Sequence, residues 1–146
     1  MKKILLIVLS LIMCCTATVF AKENLYTINP TAVSNQYVGT LETKMNGKTS
    51  INSPFTLYYG NGQLNIPKFR VGKMPGSIAV LAKGLMENST IRCKECVTLT
   101  ILGVPTSYDA NILVKFENGK LNVTIDVIDP IYDGASFIAH VVFTEN

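Results

Sequence analysis

Cys93 and Cys96, in the tetrapeptide Cys93-Lys94-Glu95-Cys96, are the residues whose type and spacing most directly suggest covalent or metal chemistry. A C-x-x-C pair can exchange disulfides or supply half of a four-ligand zinc site. Zinc needs two further soft or nitrogen ligands, and the chain offers a single histidine, His140, so no metal is expected. Redox catalysis places the first cysteine at a helix N-terminus, where its pKa falls, whereas this pair falls between two predicted strands. The pair is therefore read as a structural disulfide closing a tight loop, and a loop so short adds little stability. His140 alternates outward from Phe137, Ala139 and Val141, and no local motif puts a nucleophile or carboxylate beside it, so it is not read as a general base. Asp126, Asp129 and Asp133 form a sparse acidic group whose spacing fits no calcium loop, and they read as solvated turn residues. No catalytic residue, cofactor or metal is assigned, and the chain is not expected to be an enzyme.

The elements that must position these residues are β-strands. From residue 37 onward, short apolar runs alternate with turn residues at intervals of about ten, and no helical period is sustained. Residues 110–129, ANILVKFENGKLNVTIDVID, fix the clearest pairing. A two-residue turn at Asn118-Gly119 places Phe116 opposite Leu121, Val114 opposite Val123, Ile112 opposite Ile125 and Ala110 opposite Val127 on one face. Glu117 then faces Lys120, Lys115 faces Asn122 and Asn111 faces Asp126 on the other, and a one-residue slip would reverse both faces. Further strands are predicted at 37–45, 55–59, 63–71 with a bulge or bend at Pro67, 77–83, 85–92, 97–101, and around Phe137–Phe143, with 103–109 a loop. The fold class is all-β, an eight- to nine-stranded antiparallel up-and-down barrel, with a two-sheet sandwich as the alternative. Closure removes exposed edges, and the connections all look like local hairpins.

Met1-Lys2-Lys3 followed by an apolar run of ten, residues 4–13, and then Val19-Phe20-Ala21 reads as a secretory signal peptide over residues 1–21, cut after Ala21. The run is too short to span a bilayer. A lipid anchor at Cys14 or Cys15 is disfavoured because the preceding residue is Met13 or Cys14 where a small one is needed. Residues 22–36 read as a polar lead-in and 37–146 as one domain. The formal charge of +3 falls to +1 without Lys2 and Lys3. With no basic cluster in the sequence, nucleic acid is not an expected partner. The chain has no Trp, so any stacking surface must be built from its six Tyr and six Phe.

Tyr37-Val38-Gly39-Thr40-Leu41, Met74-Pro75-Gly76-Ser77-Ile78 and Lys120-Leu121-Asn122-Val123-Thr124-Ile125-Asp126-Val127 resemble segments of the calycin-like, lipocalin-resembling domain of small exported proteins from Bacteroides-type bacteria. The resemblance covers most of residues 37–146. It implies an eight-stranded barrel in an exported protein, and no activity that transfers to named residues; the expected location is the periplasm, the extracellular space or the cell envelope. The Gly-x-Trp signature of true lipocalins is missing.

An eight-stranded barrel either fills itself with side chains or holds one small ligand. If a ligand enters, its mouth is expected around the glycine-bounded loop 72–76, at Tyr58, Tyr59, Phe69, Met74, Met86 and Tyr108. The leading expectation is a non-enzymatic exported barrel that binds a small apolar or amphipathic ligand or a cell-envelope component. The alternative is a filled barrel acting through its outer surface as an interaction protein or inhibitor. A barrel interior packed with Phe116, Val114, Ile112, Leu121 and Ile125 would count against a ligand held inside.

Overall fold

A computed structural model describes residues 34–132 and 134–146. The expected signal peptide, Cys14 and Cys15, all but the last three residues of the lead-in, and Asp133 lie outside them. The strands are β1 (Asn35–Met45), β2 (Lys48–Gly60), β3 (Gln63–Phe69), β4 (Gly76–Ala82), β5 (Thr90–Ile101), β6 (Val104–Glu117) and β7 (Lys120–Val127). They are followed by the two-residue strands β8 (Ile131–Tyr132) and β9 (Ala135–Ser136), which pair with each other, and by β10 (Ala139–Glu145). Eight strands close into an antiparallel barrel in the order β1-β10-β7-β6-β5-β4-β3-β2, so each strand neighbours the next in sequence and β10 shuts the sheet against β1. This is the up-and-down barrel that the alternation predicts.

The β6–β7 hairpin has the predicted register from Ala110↔Val127 to Glu117↔Lys120. Its turn, Asn118-Gly119, holds φ of 54° and 76°, as Asn46-Gly47 and Asn61-Gly62 hold theirs at 48° and 77° and at 49° and 69°. Two successive residues with positive φ give the turn whose twist suits a two-residue hairpin, and Asn followed by Gly tolerates it best. The bend at Pro67 is also present, as a register shift between Ile66 and Phe69 against β4.

Three expectations change. Residues 85–92 and 97–101 are not separate strands. Residues 90–101 form the single strand β5, bulged between Cys93 and Val97 against β6, while residues 83–89 form a strap that links β4 to β5. That merger brings the barrel to eight strands. β2 begins at Lys48 rather than Phe55 and runs through Ser53-Pro54, with a register shift opposite Gly39–Leu41. Residues 104–109 belong to β6, because the β5–β6 turn is the tight pair Leu102-Gly103, at φ 49° and 79°.

The interior is filled. Leu41, Leu57, Leu64, Ile112, Leu121, Ile125 and Phe143 are wholly buried, and Ile66, Val80, Val114 and Val123 are nearly so. Every barrel strand contributes to this one core. Such packing is what eight strands leave room for.

The barrel has two distinct ends. The start of β1, the β2–β3 and β6–β7 turns and the strap 83–89 lie at one, here the upper end; the β1–β2 and β5–β6 turns and the segments 70–75 and 128–138 lie at the other. At the upper end Leu85, 6 % exposed, packs with the core, and its backbone N–H donates to the Gly62 carbonyl at 2.9 Å. A Cβ on Gly62 would stand 2.7 Å from the Leu85 carbonyl oxygen, so the close approach of strap and turn needs glycine there.

Candidate functional site

The six residues proposed for a ligand mouth do not converge. Tyr59 and Met86 line an open cup at the upper end, whereas Met74 lines smaller depressions at the lower end. Phe69 is buried and meets Phe55 edge-to-face, with ring centroids 5.8 Å apart. Tyr108 is also buried near the lower end. Its hydroxyl donates to the Ile131 carbonyl at 2.8 Å and its ring meets Phe137 edge-to-face at 5.6 Å, so it anchors segment 128–138. Tyr58, paired with Gln36 and Asn65, is the neighbour of buried Leu57 and Tyr59 and alternates outward from them.

The upper cup encloses about 820 Å³ and is lined by Asn35, Tyr37, Tyr59, Gly60, Asn61, Gly62, Leu85, Met86, Glu87 and Phe116. Three aromatic rings build its wall. Phe116 lies 6.1 Å from Tyr37 and 6.3 Å from Tyr59, with ring planes inclined at 60° and 47°. Each has a reason to be there. Tyr37 shares the inward phase of Gly39 and Leu41 but precedes them at the strand's open end. Phe116 is the last inward residue before the Asn118-Gly119 turn, so it reaches the rim and stays 36 % exposed where its partner Leu121 is wholly buried. Tyr59 takes the equivalent place before the Asn61-Gly62 turn, and it is 5 % exposed. Burial, then the charge of Glu87, then Tyr37, push the Tyr59 phenol above its ordinary pKa, so it remains a neutral hydroxyl.

The Cys93–Cys96 pair is not bridged; both residues are free thiols. The expected disulfide in a tight loop is corrected here because the tetrapeptide is not a loop between strands but the bulge inside β5. Glu95 takes φ 49° within it, and its backbone N–H donates to the Asp109 carboxylate at 3.0 Å. Asp109 also receives Arg92 at 3.2 Å. The Glu95 N–H and then the Arg92 side chain hold its carboxyl below the usual range. The bulge turns Cys96 into the core, 3 % exposed, beside buried Val97, and its thiol lies 3.4 Å from the Cys93 carbonyl. Burial first, then a hydrogen bond with the Cys93 side chain, pushes the Cys96 thiol up to about 12.

A nucleophilic cysteine needs the opposite shift. Iodoacetamide at pH 8 is therefore expected to label Cys93 first and Cys96 at least about tenfold more slowly until urea unfolds the chain. Peptide mapping by mass spectrometry reads both rates, and equal labelling in the folded protein would contradict the burial of Cys96. The raised pKa also fixes a sign. A thiol kept protonated by the fold stabilises it fully below the unfolded value near 8.5, and that contribution is lost as pH rises toward 12.

His140 faces outward as expected, but it is not without a carboxylate. The β7–β10 pairing sets it directly opposite Asp126, and its Nδ1 bonds the Asp126 carboxylate. Asp126 is thereby a cross-strand partner, and among the described residues no three His, Cys, Asp or Glu side chains gather to hold a metal. No described helix is long and apolar enough to cross a membrane.

The fold and upper cup together define a closed eight-stranded up-and-down barrel of lipocalin-like architecture, packed inside and open at one end. Compared with protein-family models, with curated proteins and with solved structures, the chain matches none.

Proposed function

We propose that this chain is an exported, non-enzymatic barrel of the calycin-like kind that binds a small amphipathic ligand or cell-envelope component at the upper end of the barrel rather than inside it. The observation that carries the reading is the contrast between an interior filled from every strand and an aromatic cup left open at the rim. Polar Asn35 and Asn61, amphipathic Tyr37 and apolar Phe116 and Met86 share that cup, which suits a ligand with both characters. The raised pKa of buried Cys96 argues against that thiol as a nucleophile.

A second reading, a filled barrel acting through its outer surface, draws on Leu102, Val104, Ile131 and Ile138, which are 90, 63, 56 and 74 % exposed at the lower end. Native mass spectrometry of the protein purified from its own compartment separates the two. A co-purifying small molecule, lost when Phe116 is replaced by serine, is the expected result. A bare mass accompanied by a discrete protein partner would overturn it in favour of the second reading.

A further inference from the structure

We propose that the cup between Tyr37, Tyr59 and Phe116 is a site for an alkylated ammonium group, with Glu87 as its counter-charge. The proposal rests on the upper-end binding reading and specifies the chemistry of the ligand. Aromatic faces attract a cation through the ring quadrupole when it sits within about 6 Å of the centroid. Here three rings share one cup; Phe116 is inclined at 60° to Tyr37 and at 47° to Tyr59, so it is stacked flat on neither, and the accessible ring surface belongs to Phe116 and half-buried Tyr37 with buried Tyr59 behind them.

Rings alone would suit a neutral apolar ligand equally well. Glu87 decides between them. It lines the same cup, it is close enough to Tyr59 for its charge to act on the phenol, and it forms no ion pair with any described residue. Its backbone is fixed in place. Glu87 bridges Val114 in parallel, the Asn88 N–H donates to the Val114 carbonyl at 2.8 Å, and Leu85 is tied to Gly62. A carboxylate held beside aromatic rings favours a cation and repels an anion.

Alkylation is the second part of the assignment. A bare ammonium is strongly hydrated and gains little in an open cup, whereas methyl groups on nitrogen thin that hydration and offer apolar contact to Phe116 and to the exposed thioether side chain of Met86. The cup's volume of about 820 Å³ leaves room for the rest of an amphipathic molecule beside Asn35 and Asn61.

The test is an NMR titration of the purified protein with choline and, separately, with its neutral isostere 3,3-dimethyl-1-butanol. Choline is expected to shift the ring resonances of Tyr37, Tyr59 and Phe116 in a saturable way, with the isostere at least about tenfold weaker. Glu87→Gln, at an exposed position that should leave the spectrum dispersed, is expected to weaken choline severalfold without changing the isostere. Phe116→Leu, which keeps an apolar side chain but removes the ring, is expected to weaken choline further. An isostere that binds these rings as tightly as choline, or choline binding untouched by Glu87→Gln, would overturn the cation assignment while leaving upper-end binding intact. Shifts at the cup from neither probe, in a protein that still carries a co-purified small molecule elsewhere, would overturn both.

Discussion

Gly39→Ala is expected to destabilise the barrel by about 3 kcal/mol or more, at the upper end of what overpacking costs. Gly39 pairs with Glu145 where β1 meets β10, at the seam that closes the sheet. A Cβ there would run into the Thr144 carbonyl oxygen and stand 2.8 Å from both the Glu145 Cα and the Phe143 Cζ. Two of those neighbours are backbone and cannot rotate away. Phe143→Leu, which removes the third, should therefore rescue little. Gly47→Ala is the matched control, since its Cβ would meet nothing within 4 Å and only the positive φ of 77° opposes it. That substitution should cost about 1 kcal/mol. Urea titrations followed by tyrosine fluorescence compare all three, and a Gly39→Ala cost no larger than that of Gly47→Ala would mean that the seam is looser than described.

Phe143→Ala should cost about 3–5 kcal/mol, the range for a large aromatic removed from a packed interior. Phe143 is wholly buried and ranks first by volume among the fully buried side chains. It sits on β10 opposite Val123 of β7 on one side and Leu41 of β1 on the other, both themselves buried. The hole would open where three strands meet, and the backbone of a closed sheet has little freedom to collapse into it. Against a total stability of about 5–15 kcal/mol, the variant should be close to unfolding at physiological temperature. Thermal denaturation reads the effect directly; a loss under about 1 kcal/mol would show that the interior is not filled around this ring.

How much of this was legible before the structure depends on where two-residue periodicity survives. In β6–β7 it survives unbroken, and every pair from Ala110↔Val127 to Glu117↔Lys120 could be written from the letters. In β5 it does not. The bulge from Cys93 to Val97 shifts the apolar phase, so one strand reads as two with a disulfide loop between them. The Leu102-Gly103 turn is hidden for a different reason: leucine is a poor residue for positive φ, and a bulky side chain 90 % exposed gives no turn signal.

The candidate site divides in the same way. Phe116 and Tyr37 could have been placed at a rim by counting inward positions to the end of each strand, a signal present in the sequence but outweighed by the glycines of loop 72–76. Glu87 could not. Its place beside Tyr59 depends on the strap crossing the barrel end to meet Val114, and no local pattern in residues 83–89 specifies that crossing. The His140–Asp126 pair likewise needs the β7–β10 register, which spans a segment that carries no hairpin signal.

The β1–β10 seam joins residues such as Gly39 and Glu145, which stand roughly a hundred positions apart along the chain. Every other junction in the barrel links neighbours along the chain, with only the short β8–β9 pair intervening between β7 and β10, so the seam is the last contact for which the folding chain has to wait. Until β10 arrives, β1 and β7 each present a row of unpaired amides and carbonyls able to capture a second molecule. The step that completes this barrel is therefore also the one at which two half-folded copies compete with each other. Refolding yield should accordingly fall as protein concentration rises.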